Sequence, residues 1–481
     1  MAVNKNKNKN KNKNKIIAIS SAPNHPPQEI TLADAIDLVN NRVAEGRISH
    51  AAYIADQFAD SFSKDLDTLI ARALVKMNEY DTKATVKIIE KALSLKQNNR
   101  LLMRMAAAAY RYDQQFETAI SIAERGVKLF PKSANLRREL SECRAEHERF
   151  INSENQHASV AIATTLRDGE ATIESFVNYH LSIGITHIFL FFDDPKDKSI
   201  SLIEDRPEVS VIRNDDELHT QWQQFESYPD KKDTLDTEVM NRQLLNIEVA
   251  IGLAKEKNID WILNIDSDEL FYPGEQSLDE HFGSLDSLGV ESVVYLNHEA
   301  IPEDESTSNY FKDVTLFKKN PRSFNGMTPE QQSLIRSTTQ FGEGFFLLYS
   351  NGKSAARVNT NLLPPTGVHL FKHDNSFRTI SYQRHLKGAA VLHYPCCGFD
   401  NFWNKYVTLG PFPDKWFDSI DIKKSIGSFH IDSRNIVLKG NKEAAMNFYR
   451  ERVVISEKDK AEELIASKLL LRIESPAKLL S

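Results

Sequence analysis

The chain reads as an α/β protein with a mostly parallel sheet, preceded by an all-α helical-repeat domain and followed by C-terminal helices. Three observations predict this. From about residue 159, short β-branched apolar runs alternate with amphipathic helical stretches, the rhythm of strand–helix–strand units. From about Leu32 to Phe150 the apolar spacing is helical throughout, with alanine-rich stripes. Beyond residue 411, segments such as "NKEAAMNFYRERVV" and "EKDKAEELIASKLLLRI" return to helical spacing.

Residues 1–27 form an Asn/Lys-rich tail, whose strict Asn-Lys alternation holds nothing that could bury apolar surface. It lacks the apolar core of a secretory signal. Its charge suits either a solvated tail or an electrostatic tether to anionic lipid or polymer. The 481 residues carry a net charge of −7, but the first 15 contribute six lysines and no acids. The remainder has 54 basic against 67 acidic residues, or −13, a poor general binder of nucleic acid. No run approaches the roughly 18 apolar residues of a membrane span, so no integral membrane segment is expected. Three cysteines, Cys143, Cys396 and Cys397, make neither a disulfide framework nor a zinc pattern. A reducing cytoplasm is the expected home, with a peripheral place at the inner face of the membrane if the tail acts as a tether.

Residues 28–152 are expected to form the helical domain. The stretch "RLLMRMAAAAYRYDQQFETAISIAERGVKLFPKS" is a 34-residue unit. With Pro131 as its closing proline, Ala107, Tyr110, Ala119, Ala123 and Gly126 take the small and aromatic positions at which two helices pack closely. The unit resembles a tetratricopeptide repeat. The preceding "ATVKIIEKALSLKQNN" matches its second helix at an offset of 34, placing Glu90, Ala92 and Leu95 opposite Glu124, Gly126 and Leu129. Such helices serve either as a docking surface for a protein partner or as a bundle that packs on its neighbours.

The α/β domain is expected over 158–410. "SVAIATTL" (159–166) is a strand buried on both faces, and "EATIESFVNYHLSIG" is a helix with Gly184 as its stop. Strand "HIFLFF" (187–192), a short helix, strand "VSVI" (209–212), helix "NRQLLNIEVAIGLAKEKN" and strand "WILNI" follow. A polar cluster stands after each strand: Arg167 to Glu170, Asp193-Asp194, Arg213 to Asp216, and Asp266 to Glu269. In an open parallel sheet these carboxyl ends are the edge where ligands bind.

Asp266, Asp268 and Glu269 crowd three carboxylates into four residues, an arrangement that needs water or a cation to be tolerated. Hard oxygen ligands with positions left open for phosphates suit Mg²⁺ or Mn²⁺. An EF-hand is excluded because Leu270 and Phe271 stand where an oxygen ligand and a glycine would be required. A haloacid-dehalogenase-type phosphatase would carry its motif on the first strand rather than the fourth.

The blocks "TTLRDGEATIESFVNYHLSIGITHIFLFFDD", "NRQLLNIEVAIGLAKEKNIDWILNIDSDELFYP" and "GAAVLHYPCCGFDNFWNKY" together resemble GT-A-fold glycosyltransferases, in particular the family 2-like set related to glycosyltransferase family 92. The likeness covers roughly 159–406. It implies a GT-A (nucleotide-diphospho-sugar transferase, Rossmann-like) sheet, a nucleotide-sugar donor and a glycan acceptor. Thr165, Arg167 and Glu170 would line the base and ribose pocket, with Asp194 or Asp193 on the uracil or ribose side. Asp266 and Asp268 would hold the metal that bridges the diphosphate, with His393 as a third ligand or facing the pyrophosphate. Cys396-Cys397-Gly398 departs from the small polar residue usual in that family.

A departing sugar diphosphate gathers negative charge, and Lys353 and Lys405 are candidate cations to meet it. His369 is a further histidine at a strand end. An inverting transferase, the outcome the resemblance implies, also needs a general base for the acceptor hydroxyl. The acid-rich "YLNHEAIPEDE" follows a strand and offers Glu299, Glu303 or Asp304, and Glu343 competes. The resulting expectation is a cytoplasmic, metal-dependent glycosyltransferase of surface polysaccharide synthesis. Its rivals are a repeat-based adaptor with a degenerate transferase domain and a metal-dependent phosphohydrolase. Residues 411–481 are expected to be a helical extension without chemistry.

Overall fold

The computed structural model of this chain describes residues 15–20, 26–44, 48–78, 82–113, 115–153, 158–287, 290–324, 327–341, 344–358, 362–373, 379–380, 388–416 and 420–481. The chain divides into two compact units, 1–156 with 286–289, and 157–285 with 290–481.

The first unit opens with an antiparallel pair, β1 (Ile16–Ile19) and β2 (Gln28–Thr31). Among the described residues seven helices follow: α1 (Leu32–Ala44), α2 (Ile48–Ala59), α3 (Leu66–Asn78), α4 (Thr82–Leu95), α5 (Arg100–Tyr112), α6 (Phe116–Leu129) and α7 (Ala134–Ser153). Each packs on the next in sequence. Alanine makes this possible. Ala106, Ala107, Ala109, Ala119 and Ala123 are all buried in the seam around α5 and α6, where small side chains let helices approach closely. At Gly126 a Cβ would lie 2.9 Å from a Leu136 methyl group, so glycine lets α7 approach without moving that side chain. The Asn99 side chain accepts the Leu101 and Leu102 amides and starts α5. Arg111, 2% exposed, is neutralised by Glu139, Glu142 and Glu146 of α7.

Among the described residues the second unit holds two large sheets and two two-stranded ones, Leu362–Gly367 with Leu370–His373 and Lys415–Trp416 with Ile420–Asp421. Its first half runs β3 (Val160–Leu166), α8 (Ile173–Ser182), β4 (His187–Phe192), β5 (Val209–Arg213), α9 (Asp216–Trp222), α10 (Val239–Glu256), β6 (Trp261–Asn264), β7 (Glu269–Tyr272), α11 (Leu278–Ser287), β8 (Ser292–Tyr295) and β9 (Asn297–Ala300). Next come α12 (Tyr310–Asp313), β10 (Leu316–Lys318), α13 (Pro329–Ser337), β11 (Lys353–Arg357), β12 (Leu362–Gly367), β13 (Leu370–His373), β14 (Thr379–Ile380), β15 (Ala390–His393) and α14 (Phe399–Leu409). The remainder holds β16 (Lys415–Trp416), β17 (Ile420–Asp421), α15 (Ile422–Ile426), α16 (Phe429–Leu438), α17 (Lys442–Arg452), α18 (Lys458–Ala466), β18 (Leu470–Arg472) and α19 (Ser475–Leu480).

The larger sheet has the order β14-β8-β11-β6-β3-β4-β5. Strands β5, β4, β3 and β6 are mutually parallel, whereas β11 runs antiparallel between β6 and β8. The continuous apolar runs of β3 and β4 are explained by cover on both faces. On one face Ala161, Ala163, Phe189 and Phe191 pack with Leu245, Val249 and Ala250 of α10.

The smaller sheet has the order β18-β10-β9-β15-β7. The chain passes directly from the larger sheet to the smaller between β6 and β7, and again between β8 and β9. The first passage is the turn 265–268, which carries Asp266 and Asp268. Gly352, at φ +75°, sits so close to Tyr295 that a Cβ would fall 2.0 Å from its carbonyl oxygen, so the entry to β11 can only be glycine.

Two sequence expectations change. The segment "SKLLLRI" does not continue a helix: Leu470–Arg472 is an edge strand that pairs antiparallel with β10, and this pairing overrides its helical propensity. "NHEA" follows strand β8, as expected, but forms a further strand. It is β9 itself, buried along its length.

Candidate active site

Helix α10 supplies the back wall. Three of its polar residues each tie down a different strand end, with Asn246 sharing a face with Arg242 and Gln243, four and three positions before it. Arg242 makes a bidentate ion pair with Asp193, with Nε donating to Oδ1 at 2.7 Å and Nη2 to Oδ2 at 2.5 Å. Gln243 Nε2 donates to Asp266 Oδ1 at 3.3 Å. Asn246 Nδ2 donates to Thr165 Oγ1 at 2.9 Å while its Oδ1 accepts Trp222 Nε1 at 3.2 Å.

The acid turn folds back on itself. The Asp266 amide donates to Glu269 Oε2 at 2.8 Å, and the Glu269 amide to the Asp266 carbonyl at 3.0 Å. Lys353, at the start of β11 and 1% exposed, places Nζ 2.8 Å from Asp266 Oδ2 and 3.9 Å from Glu269 Oε2. Lys405 reaches in from α14, donating to Asp268 Oδ2 at 2.9 Å and to the Pro395 carbonyl at 3.0 Å. His393 Nε2 lies 3.8 Å from the same Asp268 oxygen. The Tyr394 amide closes the corner by donating to the Asp268 carbonyl at 2.9 Å.

Strand register explains how His393 arrives there. It stands directly opposite Glu269 on β7 and Glu299 on β9. Residues opposed across a sheet share a face, so Glu269, His393 and Glu299 form a row, covered by the segment 345–349. Glu299 accepts the amides of Leu347 and Leu348 at 2.8–3.0 Å and the Lys318 ammonium at 2.9 Å. The Tyr349 ring lies 4.7 Å from the His393 ring and 4.8 Å from that of His369. Its hydroxyl donates to Glu269 Oε1.

These surroundings set the charges. Burial, reinforced by Asp266 and Asp268 against the pull of Lys353, pushes the Glu269 carboxyl up to about 8. Asp268 differs. Burial opposes its ionisation, yet the Lys405 ammonium holds it below the ordinary carboxylate range. Burial lowers His393 despite the neighbouring Asp268, so its imidazole is neutral at pH 7. Burial and Lys353 push His369 down to about 4. Its Nδ1 donates to the Gly352 carbonyl at 2.7 Å.

The other sequence candidates fall into three groups. Thr165 and Asp193 belong to the α10 network, and Asp193 is fully engaged by Arg242. Asp194 caps a turn by accepting the Lys196 amide at 2.9 Å. Arg167 and Glu170 are exposed at the rim; Arg167 is 55% exposed and its Nε is 3.9 Å from Asp168. Glu299 cannot act as the acceptor's base, because it is 0% exposed and its carboxylate is taken by Lys318 and two amides. Glu303 is paired with Arg472 at 3.0 Å. Asp304 is exposed in a cleft of about 480 Å³ together with Glu303, Glu305 and Arg450. Glu343 and residues 1–14 of the lysine tail lie outside the described residues. Cys396 and Cys397 are buried free thiols.

Sequence reasoning missed Arg242, Gln243, Asn246 and Tyr349. The first three carry a usable signal, polar residues at 3–4 spacing on a buried helix, whereas Tyr349 lies on a covering segment with no pattern of its own.

Among the described residues no three His, Cys, Asp or Glu side chains gather as a metal site. The donor set is a pair, Asp268 Oδ2 and His393 Nε2. A carboxylate with a neutral imidazole fits a divalent ion that takes its remaining ligands from substrate phosphates and water, as Mg²⁺ and Mn²⁺ do. Asp266 is held by Lys353 and Gln243.

No family model matches the sequence. The chain is similar to two proteins of Arabidopsis thaliana, each named glycosyltransferase-like. One is 29% identical over 332 residues, covering 66% of this chain and 70% of the relative. The other is 28% identical over 330 residues, covering 66% of this chain and 62% of its own length. Both names support a glycosyltransferase relationship. A solved structure, a mutant O-GlcNAc transferase from Thermobaculum terrenum, covers 47% of this chain at 11% identity with a TM-score of 0.22, too slight an overlap to describe a common fold. Among the described residues no helix is long and apolar enough to cross a membrane.

Proposed function

We propose that this protein is a metal-dependent glycosyltransferase of GT-A type, moving a sugar from a nucleoside-diphosphate donor to a hydroxyl of a glycan acceptor. One observation carries the proposal. The turn between β6 and β7 brings Asp266 and Asp268 together with Lys353, Lys405 and His393, beside the ends of the parallel strands β3, β4 and β6. This is the ligand-binding edge of an open α/β sheet, and its mixture of paired acids and cations suits a diphosphate.

In the transfer, the acceptor oxygen bonds to the anomeric carbon as the bond from that carbon to the diphosphate oxygen breaks. The electron pair leaves with the diphosphate, and the hydroxyl proton passes to a carboxylate. Asp268 and His393 would hold the divalent ion, which when bound supplies countercharge to the diphosphate. Lys353 fixes Asp266, and Lys405 faces the leaving group. The Arg242–Asp193 pair, with Thr165 and Asp194, orients the nucleoside, and Arg167 and Glu170 form the rim of its pocket. Asp304, exposed near the loop leading to α14, takes the proton, with Glu343 as the competing base. An inverting course, a role in surface polysaccharide synthesis at the inner face of the membrane, and docking of a protein partner on the tetratricopeptide-like helices complete the proposal.

A screen of common nucleotide sugars tests it, reading released nucleoside diphosphate from wild type and from Asp268→Ala. At least one donor should turn over, and the variant should lose at least about two orders of magnitude. Free phosphate as the only product would mark a hydrolase. Equal turnover in both proteins would remove Asp268 from the chemistry.

A further inference from the structure

The two lysines that neutralise the acid turn are held differently. Lys353 is 1% exposed and lies between Asp266 and Glu269. Lys405 is 30% exposed, and apart from Asp268 the structure shows it donating to the Pro395 carbonyl. The oxygen that Lys405 occupies, Asp268 Oδ2, also faces His393 Nε2 at 3.8 Å. The atom best placed to join His393 in holding a divalent ion therefore already carries an ammonium. Two cations cannot both sit at contact distance on one carboxylate oxygen without strong repulsion.

We propose that Lys405 and the divalent cation exchange at Asp268. As the ion enters between Asp268 and His393, the ammonium leaves the carboxylate and swings to the diphosphate that arrives with the ion. The inference rests on the transferase reading above. Lysine suits the task because its charge is compact and its four-carbon stem is flexible, whereas a planar guanidinium would lock to the carboxylate. Partial exposure leaves the stem room to move, which Lys353 lacks.

The exchange gives one residue two effects of opposite sign. Lys405 lowers affinity for the free ion, because only the fraction of molecules with the ammonium displaced can bind it. It raises affinity for the diphosphate once the ion is bound. Damage to the corner would weaken both.

The test uses the full chain as wild type, Lys405→Ala and Lys405→Met, with thermal melts to establish that each variant is folded. Mn²⁺ uptake without nucleotide is followed by electron paramagnetic resonance, and uridine diphosphate binding at saturating Mn²⁺ by calorimetry. In both variants Mn²⁺ affinity should rise at least about threefold, and uridine diphosphate affinity should fall about tenfold. Unchanged or weaker Mn²⁺ uptake in the folded variants, or no uptake in any of the three proteins, overturns the exchange. If wild type still binds uridine diphosphate in that case, the transferase reading survives. If it binds none at any Mn²⁺ concentration, both fall.

Discussion

Lys353 places its ammonium 2.8 Å from Asp266 Oδ2 while only 1% exposed, so the acid turn rests on an ion pair with one fully buried partner. Removing one partner of a buried pair costs about 3–5 kcal/mol, because the other charge stays behind uncompensated. Asp266 keeps 29% exposure, which places Lys353→Met at the lower end, about 3 kcal/mol. The shift in urea midpoint at constant slope measures it. A loss below about 1 kcal/mol would show the pair to be solvated.

Glu269 keeps its proton in the folded protein up to about pH 8, whereas an unfolded glutamate releases it near pH 4.3. Between those values the native state binds more protons than the unfolded one, so Glu269 makes stability fall as pH rises. Glu269→Gln mimics the neutral acid and keeps the contact with Tyr349. The variant should therefore lose less stability than wild type between pH 5 and pH 8, as read by melting temperature at each pH. Parallel pH profiles would place an ionised carboxylate at 269.

Arg242→Lys separates geometry from charge on α10. An ammonium cannot reproduce the two parallel bonds to Asp193. Binding of uridine diphosphate should weaken about tenfold by calorimetry, with transfer at saturating donor changed far less. An unaltered dissociation constant would remove the pair from the nucleoside pocket.

Glu299 and Asp304 are both acids of one segment, yet opposite outcomes are expected. Asp304→Asn should lower kcat by about 10²–10⁴ and leave the melting temperature in place, as for a general base. Glu299→Gln weakens the Lys318 pair and one or more amide contacts and should lower the melting temperature. If the kcat loss belongs to Glu299 with stability intact, the assignment is reversed.

Much of this architecture is legible in the residues because burial leaves its mark locally. "HIFLFF" and "SVAIATTL" are continuous apolar runs, and the strands they form are covered on both faces. The acid turn is legible for the opposite reason: its crowding of carboxylates has no local explanation. What cannot be read is register. Asn297–Ala300 is short and polar, and it is a strand only because β10 and β15 flank it. Only that pairing sets Glu299 beside His393 and withdraws it from the candidate bases. The pairing of Leu470–Arg472 with β10 depends likewise on a partner about 150 residues away.

Anomalous scattering at the manganese edge, from crystals soaked with Mn²⁺ and a non-hydrolysable nucleotide-sugar analogue, tests the central claim most directly. The account predicts one strong peak bonded to Asp268 and His393, with the diphosphate against it and Lys405 on a phosphate oxygen. A peak lodged elsewhere, with Asp268 still paired to Lys405 and the analogue remote from the turn between β6 and β7, would contradict it.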